Sequence, residues 1–284
     1  MEKNNDSKNG KVVSFINMKG GVGKTTLTIN IGYALVKEFK KRVLMIDMDP
    51  QFNATEALMT KFSTIDKYDE LRKCGFTIVA LLVPQAISMI VNERDNINDK
   101  PIANIEKRPL EIIHTLIKDF DLIPGDLSLT EYPSSVRGSE KKLDKYVEEN
   151  RLRDKYDYIL IDTPATYSIY SQASLLASDF FIVPVAPDVF SKLGYSLLEK
   201  TIKDDLVLEN SKVKNLGIIF TKTDSKRRKR SNIMYEDMGN APRFEETLKE
   251  SEYINTGKLE TLMYDMLSCK ANIVDLTTEF IEKV

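Results

Sequence analysis

Histidine, cysteine, glycine and proline are all scarce in this 284-residue chain, and each scarcity removes a class of function. His114 is the only histidine, which excludes multi-histidine metal centres and Ser-His-Asp triads and leaves it a structural role. Cys74 and Cys269 stand far apart, without the paired spacing of zinc or dithiol sites, and read as free thiols of a reducing compartment. Twelve glycines and ten prolines make up roughly 8% of the chain, below the globular average, so collagen-like and low-complexity readings fail. No apolar run approaches the ~18 residues of a membrane span. The polar start, MEKNNDSKNG, lacks the apolar core of a secretory signal. Nor does one charge dominate. With 41 basic and 43 acidic residues the net charge is −2, which excludes a uniformly basic nucleic-acid protein and an acidic disordered tail.

What the chain does have is 42% hydrophobic residues, enough for a sizeable core, in a length that suits one large α/β domain. Short β-rich runs alternate with longer helical patterns, the signature of a mainly parallel sheet with helices on both faces. Strands are expected over 11–17, 42–47, 156–161, 179–183 and 213–220, with an edge or hairpin strand at 119–123. Each is a short apolar run, as a strand buried on both faces requires. Helices are expected over 25–38, 139–153, 169–178 and 192–209. Residues 1–10 read as a flexible start, 60–118 as a helical and loop excursion, and 237–284 as a mostly helical end. No internal repeat or long linker divides the chain, so 1–284 is read as a single domain.

Glycine is scarce but clustered. Gly20, Gly21 and Gly23 fall within four residues, in the run Lys19-Gly-Gly-Val22-Gly-Lys24-Thr25-Thr26, directly after the first strand and opening the first helix. The general phosphate loop, G-x-x-x-x-G-K-[ST], would place glycine where Met18 stands. The remaining residues still do the work of such a loop. Glycines let successive backbone N–H groups turn inward around a phosphate, and the helix N-terminus adds its positive dipole end. Lys24 can reach β- and γ-phosphates, and the Thr25 hydroxyl can ligate Mg2+.

At these residues the chain resembles the deviant Walker-A ATPases, the group that includes ParA, Soj and MinD, whose mark is the extra lysine at the start of the motif, here Lys19. The resemblance implies a single P-loop NTPase domain. It also implies that Lys19 crosses a homodimer interface to the phosphates bound by the partner, a cation supplied in trans like an arginine finger.

Two further segments complete the expected site. The second strand ends Ile46-Asp47-Met48-Asp49-Pro50-Gln51, delivering two carboxylates at the carboxyl end of a buried strand, where open α/β sheets bind ligands. By the same resemblance Asp49 orients the attacking water and Asp47 supports the magnesium site. The run Tyr158-Ile159-Leu160-Ile161-Asp162 is a Walker-B pattern in which Asp162 holds Mg2+ through water. Thr163-Pro164 follows where the family has its switch loop, with Ala165 in place of a common second proline. Thr221-Lys222-Thr223-Asp224 resembles a guanine-selecting motif, yet Lys19 and the D-x-D-P-Q run point to ATP.

From Lys222 to Arg230 six basic residues face one acid, Asp224, a local +5 that leaves −7 for the rest of the chain. The core of this run, Lys226, Arg227, Arg228, Lys229 and Arg230, suits salt-sensitive, sequence-independent DNA binding. The last helix, 272–284, carries Asp275, Glu279 and Glu282 against Lys283, so attachment to anionic lipid is disfavoured. Its apolar Ile273, Leu276, Phe280 and Val284 are expected to pack on the domain.

The resemblance therefore implies a ParA-type partition ATPase of plasmid or chromosome, in a cytoplasmic, nucleoid-associated setting. An ATP-bound dimer would coat non-specific DNA, and a ParB-type adaptor would stimulate hydrolysis. With about ten residues before the first strand, the small type without an N-terminal helix-turn-helix is expected. The alternative is a MinD-like or cargo-positioning ATPase acting through membrane or a protein scaffold. An iron-protein-like reductase would need a cysteine pair near the Walker-B strand, which the sequence lacks.

Overall fold

The computed structural model describes residues 10–83, 104, 106–131, 138–223, 241–251 and 261–284. Among them, Lys11–Phe15 (β1), Val43–Asp47 (β2), His114–Ile117 (β3), Phe120–Ile123 (β4), Tyr158–Asp162 (β5), Phe180–Val185 (β6) and Lys214–Phe220 (β7) form one seven-stranded sheet in the order β3-β4-β2-β5-β1-β6-β7. Every neighbouring pair is parallel except the β3–β4 hairpin. β1 and β5 lie side by side at its centre. The chain leaves β1 toward β2 on one side and β5 toward β6 on the other, which opens a crevice at their carboxyl ends.

Helices follow as Lys24–Lys37 (α1), Asn53–Phe62 (α2), Ile65–Lys73 (α3), Val79–Leu82 (α4), Lys142–Glu149 (α5), Leu152–Lys155 (α6), Ile169–Ala177 (α7), Ser191–Asp204 (α8) and Leu267–Lys283 (α9). Alternate strand residues feed opposite layers, as the two-residue period of a strand dictates. Val13, Phe15, Met45 and Leu160 join α1, α2 and α9, while Val12, Leu44, Ile46 and Ile161 join α5 and α7. Ile182 turns toward the first layer, whereas Phe181 and Val183 pack under α8. α1 is buried all round from Leu27 to Val36, its polar Thr28 and Asn30 included. It sits so close on β2 that a Cβ at Gly32 would lie 2.9 Å from Met45 Sδ.

The strands expected from sequence are present, with shifted ends. β5 runs to Asp162, so that carboxylate is the last strand residue. β6 continues through Pro184 to Val185; its pairing with β1 stops at Ile182, so the missing Pro184 N–H interrupts no ladder there.

Three expectations are corrected. The strand near 119–123 is β4, a hairpin strand as expected, and the first correction lies beside it. The edge is β3, a four-residue, half-exposed strand inside the stretch expected to be only helix and loop. The helix over 139–153 is broken: Arg151 takes φ 51°, a left-handed turn that separates α5 from α6. The segment from 237 is helical in α9, but residues 241–251 run extended, pairing with the end of β7 through Ile218–Arg243 and Thr223–Lys249 bridges.

α9 packs as its apolar spacing implies. Ile273, Leu276 and Phe280 are fully buried, and the Phe280 ring lies 5.5 Å from Tyr158 in β5. Phe280→Ala is therefore expected to lower the free energy of unfolding by about 3–5 kcal/mol, measured by urea titration. A change near zero would show α9 to be dispensable to the core.

Candidate functional site

The loop between β1 and α1 is shaped from both sides. Asn17 donates to Pro184 O (2.8 Å) and accepts from Lys19 N–H (2.9 Å). On the far side, the Thr221 hydroxyl at the end of β7 donates to Val22 O (2.6 Å). Gly21 and Gly23 take φ of +70° and +85°, a left-handed backbone that favours glycine and aims amides inward. Gly23 is also the N-cap of α1, so the first free N–H groups of that helix open onto the same space. A cleft of about 460 Å³ lies there, lined by Gly20, Gly21, Gly23, Lys24, Thr25 and Thr26 together with Asp49 from the end of β2.

Lys24 is buried. Desolvation holds its ammonium below the usual lysine range, opposed by the charges of Asp162 and Asp49. The Thr25 hydroxyl donates to Asp162 Oδ2 at 2.6 Å. Asp162 is fully buried, and its Oδ1 finds no hydrogen-bond partner. Burial pushes its carboxyl well above the usual range, and the neighbouring Asp47 adds to this. An unsatisfied oxygen beside a threonine hydroxyl and a lysine is what a metal–phosphate group would complete. Among the described residues no group of three or more His, Cys, Asp or Glu is placed to hold an ion, so the phosphates themselves would have to supply ligands.

Asp47 behaves differently. It does not line the cleft and has no exposed surface. Oδ2 accepts from Thr55 N–H (2.8 Å) and the Thr55 hydroxyl (2.7 Å), and Oδ1 accepts from Asp49 N–H (3.1 Å). Lys19 does not bend into its own chain's cleft lining either: its ammonium pairs with Asp188, after β6. Residues 226–230 and Asp224 lie outside the described residues. Of the T-K-x-D run, Thr221 docks on the phosphate loop and Lys222 lines the cleft.

The structure also brings in residues that sequence reasoning missed. Leu248, Lys249, Glu250 and Ser251 close the far end of the cleft, held there by Thr223 N–H to Leu248 O (3.2 Å) and Glu250 N–H to Thr223 O (3.0 Å). Reading that segment as helix hid them. Asp188 could have been found, since it follows a buried strand at the carboxyl edge. Thr55 carries no local signal, because only the fold returns α2 to β2. His114 is structural as expected, with Nε2 at 3.0 Å from Phe76 O.

Burial pushes the Asp47 carboxyl up to about 7, against the Thr55 hydrogen bonds. A carboxyl raised on folding binds more protons folded than unfolded between its ordinary value of about 4 and about 7. Its contribution to stability is therefore present at low pH and lost as pH rises across that window. In magnesium-free buffer, the wild-type melting temperature should fall relative to that of Asp47→Asn through this range and run parallel above it. Parallel profiles throughout would mean that Asp47 ionises normally.

The family described as an AAA domain (AAA_31) matches residues 10–216. A virulence-plasmid ParA family protein of Chlamydia psittaci is 32% identical over 228 residues, 80% of this chain and 74% of that protein. The chromosome partitioning protein ParA of Myxococcus xanthus is 31% identical over 237 residues, 80% of this chain and 69% of that protein. Among solved structures, a plasmid partition protein of Borrelia burgdorferi bound to AMPPNP superposes with a TM-score of 0.74 at 23% identity, covering 97% of this chain and all of that one, and so shares the fold. Matched in sequence across its phosphate loop and both carboxylate-bearing strands, the chain belongs to the ParA family of P-loop ATPases.

Proposed function

We propose that this chain is an ATP-hydrolysing partition switch, whose ATP-bound homodimer binds DNA without sequence preference and is discharged by a ParB-type adaptor. The observation that carries the reading is the meeting of the phosphate loop, the Thr25–Asp162 pair and Asp49 at one cleft. Backbone amides of residues 20–26 and Lys24 would cradle the phosphates. Thr25 and Asp162 would hold Mg2+, with Asp47 supporting the site from beneath. Magnesium, when bound, neutralises charge on the β- and γ-phosphates. Asp49, at the rim of that space, orients the attacking water; positioning and electrostatics suffice for phosphoryl transfer, and no histidine base is needed.

Two features support the dimer. Lys19, next to the cleft-lining Gly20, is held in an exposed ion pair that a second copy's phosphates could outcompete. Directly after Asp188, the start of α8 and the turn before it present Val189, Phe190, Leu193 and Leu197, exposed by 87, 70, 68 and 51%. A contiguous apolar stripe of this kind marks a protein-binding surface. The buried apolar face of α9 supports partition over membrane attachment, since Ile273, Leu276 and Phe280 are already occupied by the core.

DNA mobility shift with ATP, ADP or no nucleotide tests the proposal. ATP-bound wild type should shift DNA at low salt and lose it as salt rises, while Lys24→Ala should not shift it. Neutralising residues 226–230 should flatten the log–log salt dependence by about 0.9 for each phosphate contact removed. ATP-bound wild type that ignores DNA at low salt would remove the DNA half of the proposal. For Lys19→Ala, ATP binding should persist while dimerisation and stimulated hydrolysis are lost; unchanged stimulated turnover would refute a role in trans.

A further inference from the structure

We infer that Thr55 is a positioning residue for ATP hydrolysis, acting through Asp47 on the backbone of Asp49. The inference rests on the ATPase reading above. Thr55 is the third residue of α2 and has no exposed surface. Its hydroxyl is used in both directions: it donates to Asp47 Oδ2 (2.7 Å) and accepts from Gly125 N–H (2.8 Å). Its own N–H also donates to Asp47 Oδ2 (2.8 Å), so the first turn of α2 caps onto a carboxylate delivered by another strand. The opposite oxygen of Asp47 receives Asp49 N–H (3.1 Å). A continuous path of hydrogen bonds therefore runs from Gly125, after β4, through Thr55 and Asp47 to Asp49 at the cleft.

The path has little slack. A Cβ at Gly125 would stand 2.9 Å from Asp47 Cγ and 3.1 Å from both its Oδ2 and Phe52 Cβ, so this wall leaves no room for a side chain beside the carboxylate. Gly125 O in turn accepts from the Tyr68 hydroxyl (3.1 Å) of α3, whose ring stacks on Phe52 at 5.4 Å. Beyond Asp47 the loop is closed on itself. Gln51 N–H donates to Asp49 Oδ1 (2.9 Å), and Phe52 N–H donates to Asp49 O (2.8 Å). The Asp49 side chain is thus set by backbone, and that backbone hangs from Asp47. Without the Thr55 hydroxyl, Asp47 loses one of its three donors and its hydrogen-bonded link through Thr55 to Gly125 N–H, which loosens the anchor of the Asp49 backbone. Phosphate binding, which uses the loop after β1, needs none of these bonds.

The experiment compares full-length wild type, Thr55→Val, Thr55→Ser and Gly125→Ala. It measures affinity for a fluorescent ATP analogue, single-turnover phosphate release with protein in excess, and melting temperature. A misplacement of about 1 Å at a reacting group can slow chemistry roughly 100-fold. Thr55→Val should accordingly bind nucleotide within about threefold of wild type while releasing phosphate at least about tenfold more slowly. Thr55→Ser, which keeps the hydroxyl, should restore release, and Gly125→Ala should share the valine phenotype. Wild-type release by Thr55→Val overturns the inference. So does a parallel loss of affinity, rate and melting temperature that serine does not rescue, because that is a folding defect. Wild type that binds the analogue but releases no phosphate overturns the ATPase reading itself, and the inference with it.

Discussion

Two fully buried carboxylates, Asp47 and Asp162, stand opposite each other in the register of adjacent strands β2 and β5. Bare, such a pair is among the least tolerable arrangements a protein interior can contain. The surrounding structure answers it from two directions. The first turn of α2 reaches Asp47 through Thr55, and the first turn of α1 reaches Asp162 through Thr25, with Lys24 beside it. Both helices therefore meet the sheet N-terminus first at the same edge, where their free amides and dipoles favour negative charge. A site that attracts phosphate and a fold that accommodates two aspartates are one arrangement.

The rest of the architecture keeps that edge in place. α1 can press on β2 because Gly32 has no side chain, and α9 joins the same core layer through Ile273, Leu276 and Phe280. The Asn30 side chain in the middle of α1 accepts from Tyr264 N–H at 2.9 Å, so even the approach to α9 is tied to the helix that carries the phosphate loop. The extended stretch 241–251 adds to β7 and brings Leu248 to Ser251 over the cleft. Core packing and site geometry are thus set by the same few contacts.

Much of this was legible in the sequence, for a physical reason. A strand buried on both faces must be a short apolar run, and its last residue can be polar only where the sheet ends; Asp47 and Asp162 announce both facts at once. The clustered glycines likewise announce a backbone that L side chains rarely adopt. What the sequence hid lies where the partner is remote. Thr55 looks like any helical threonine until the fold returns α2 to β2. β3 is too short and too exposed to show a pattern, and 241–251 takes its extended form from β7, a tertiary effect that overrides local propensity. Arg151 breaks a helix its neighbours would have continued.

The contrast between Asp47 and Asp49 bears on how a D-x-D run should be read. Residues at i and i+2 of a strand share a face, so spacing alone would send both carboxylates to the ligand. Here the strand ends at Asp47, and the turn that follows begins at Asp49, whose carbonyl accepts from Phe52 N–H. The first aspartate is thereby sealed against Thr55 and the wall at Gly125, while the second emerges at the cleft. Two like charges so close would repel at a phosphate, where negative charge is already dense. Burying one as a bracket and presenting the other gives the motif a fixed base and a carboxylate at the cleft. The division follows from where the strand stops, not from the identity of either side chain.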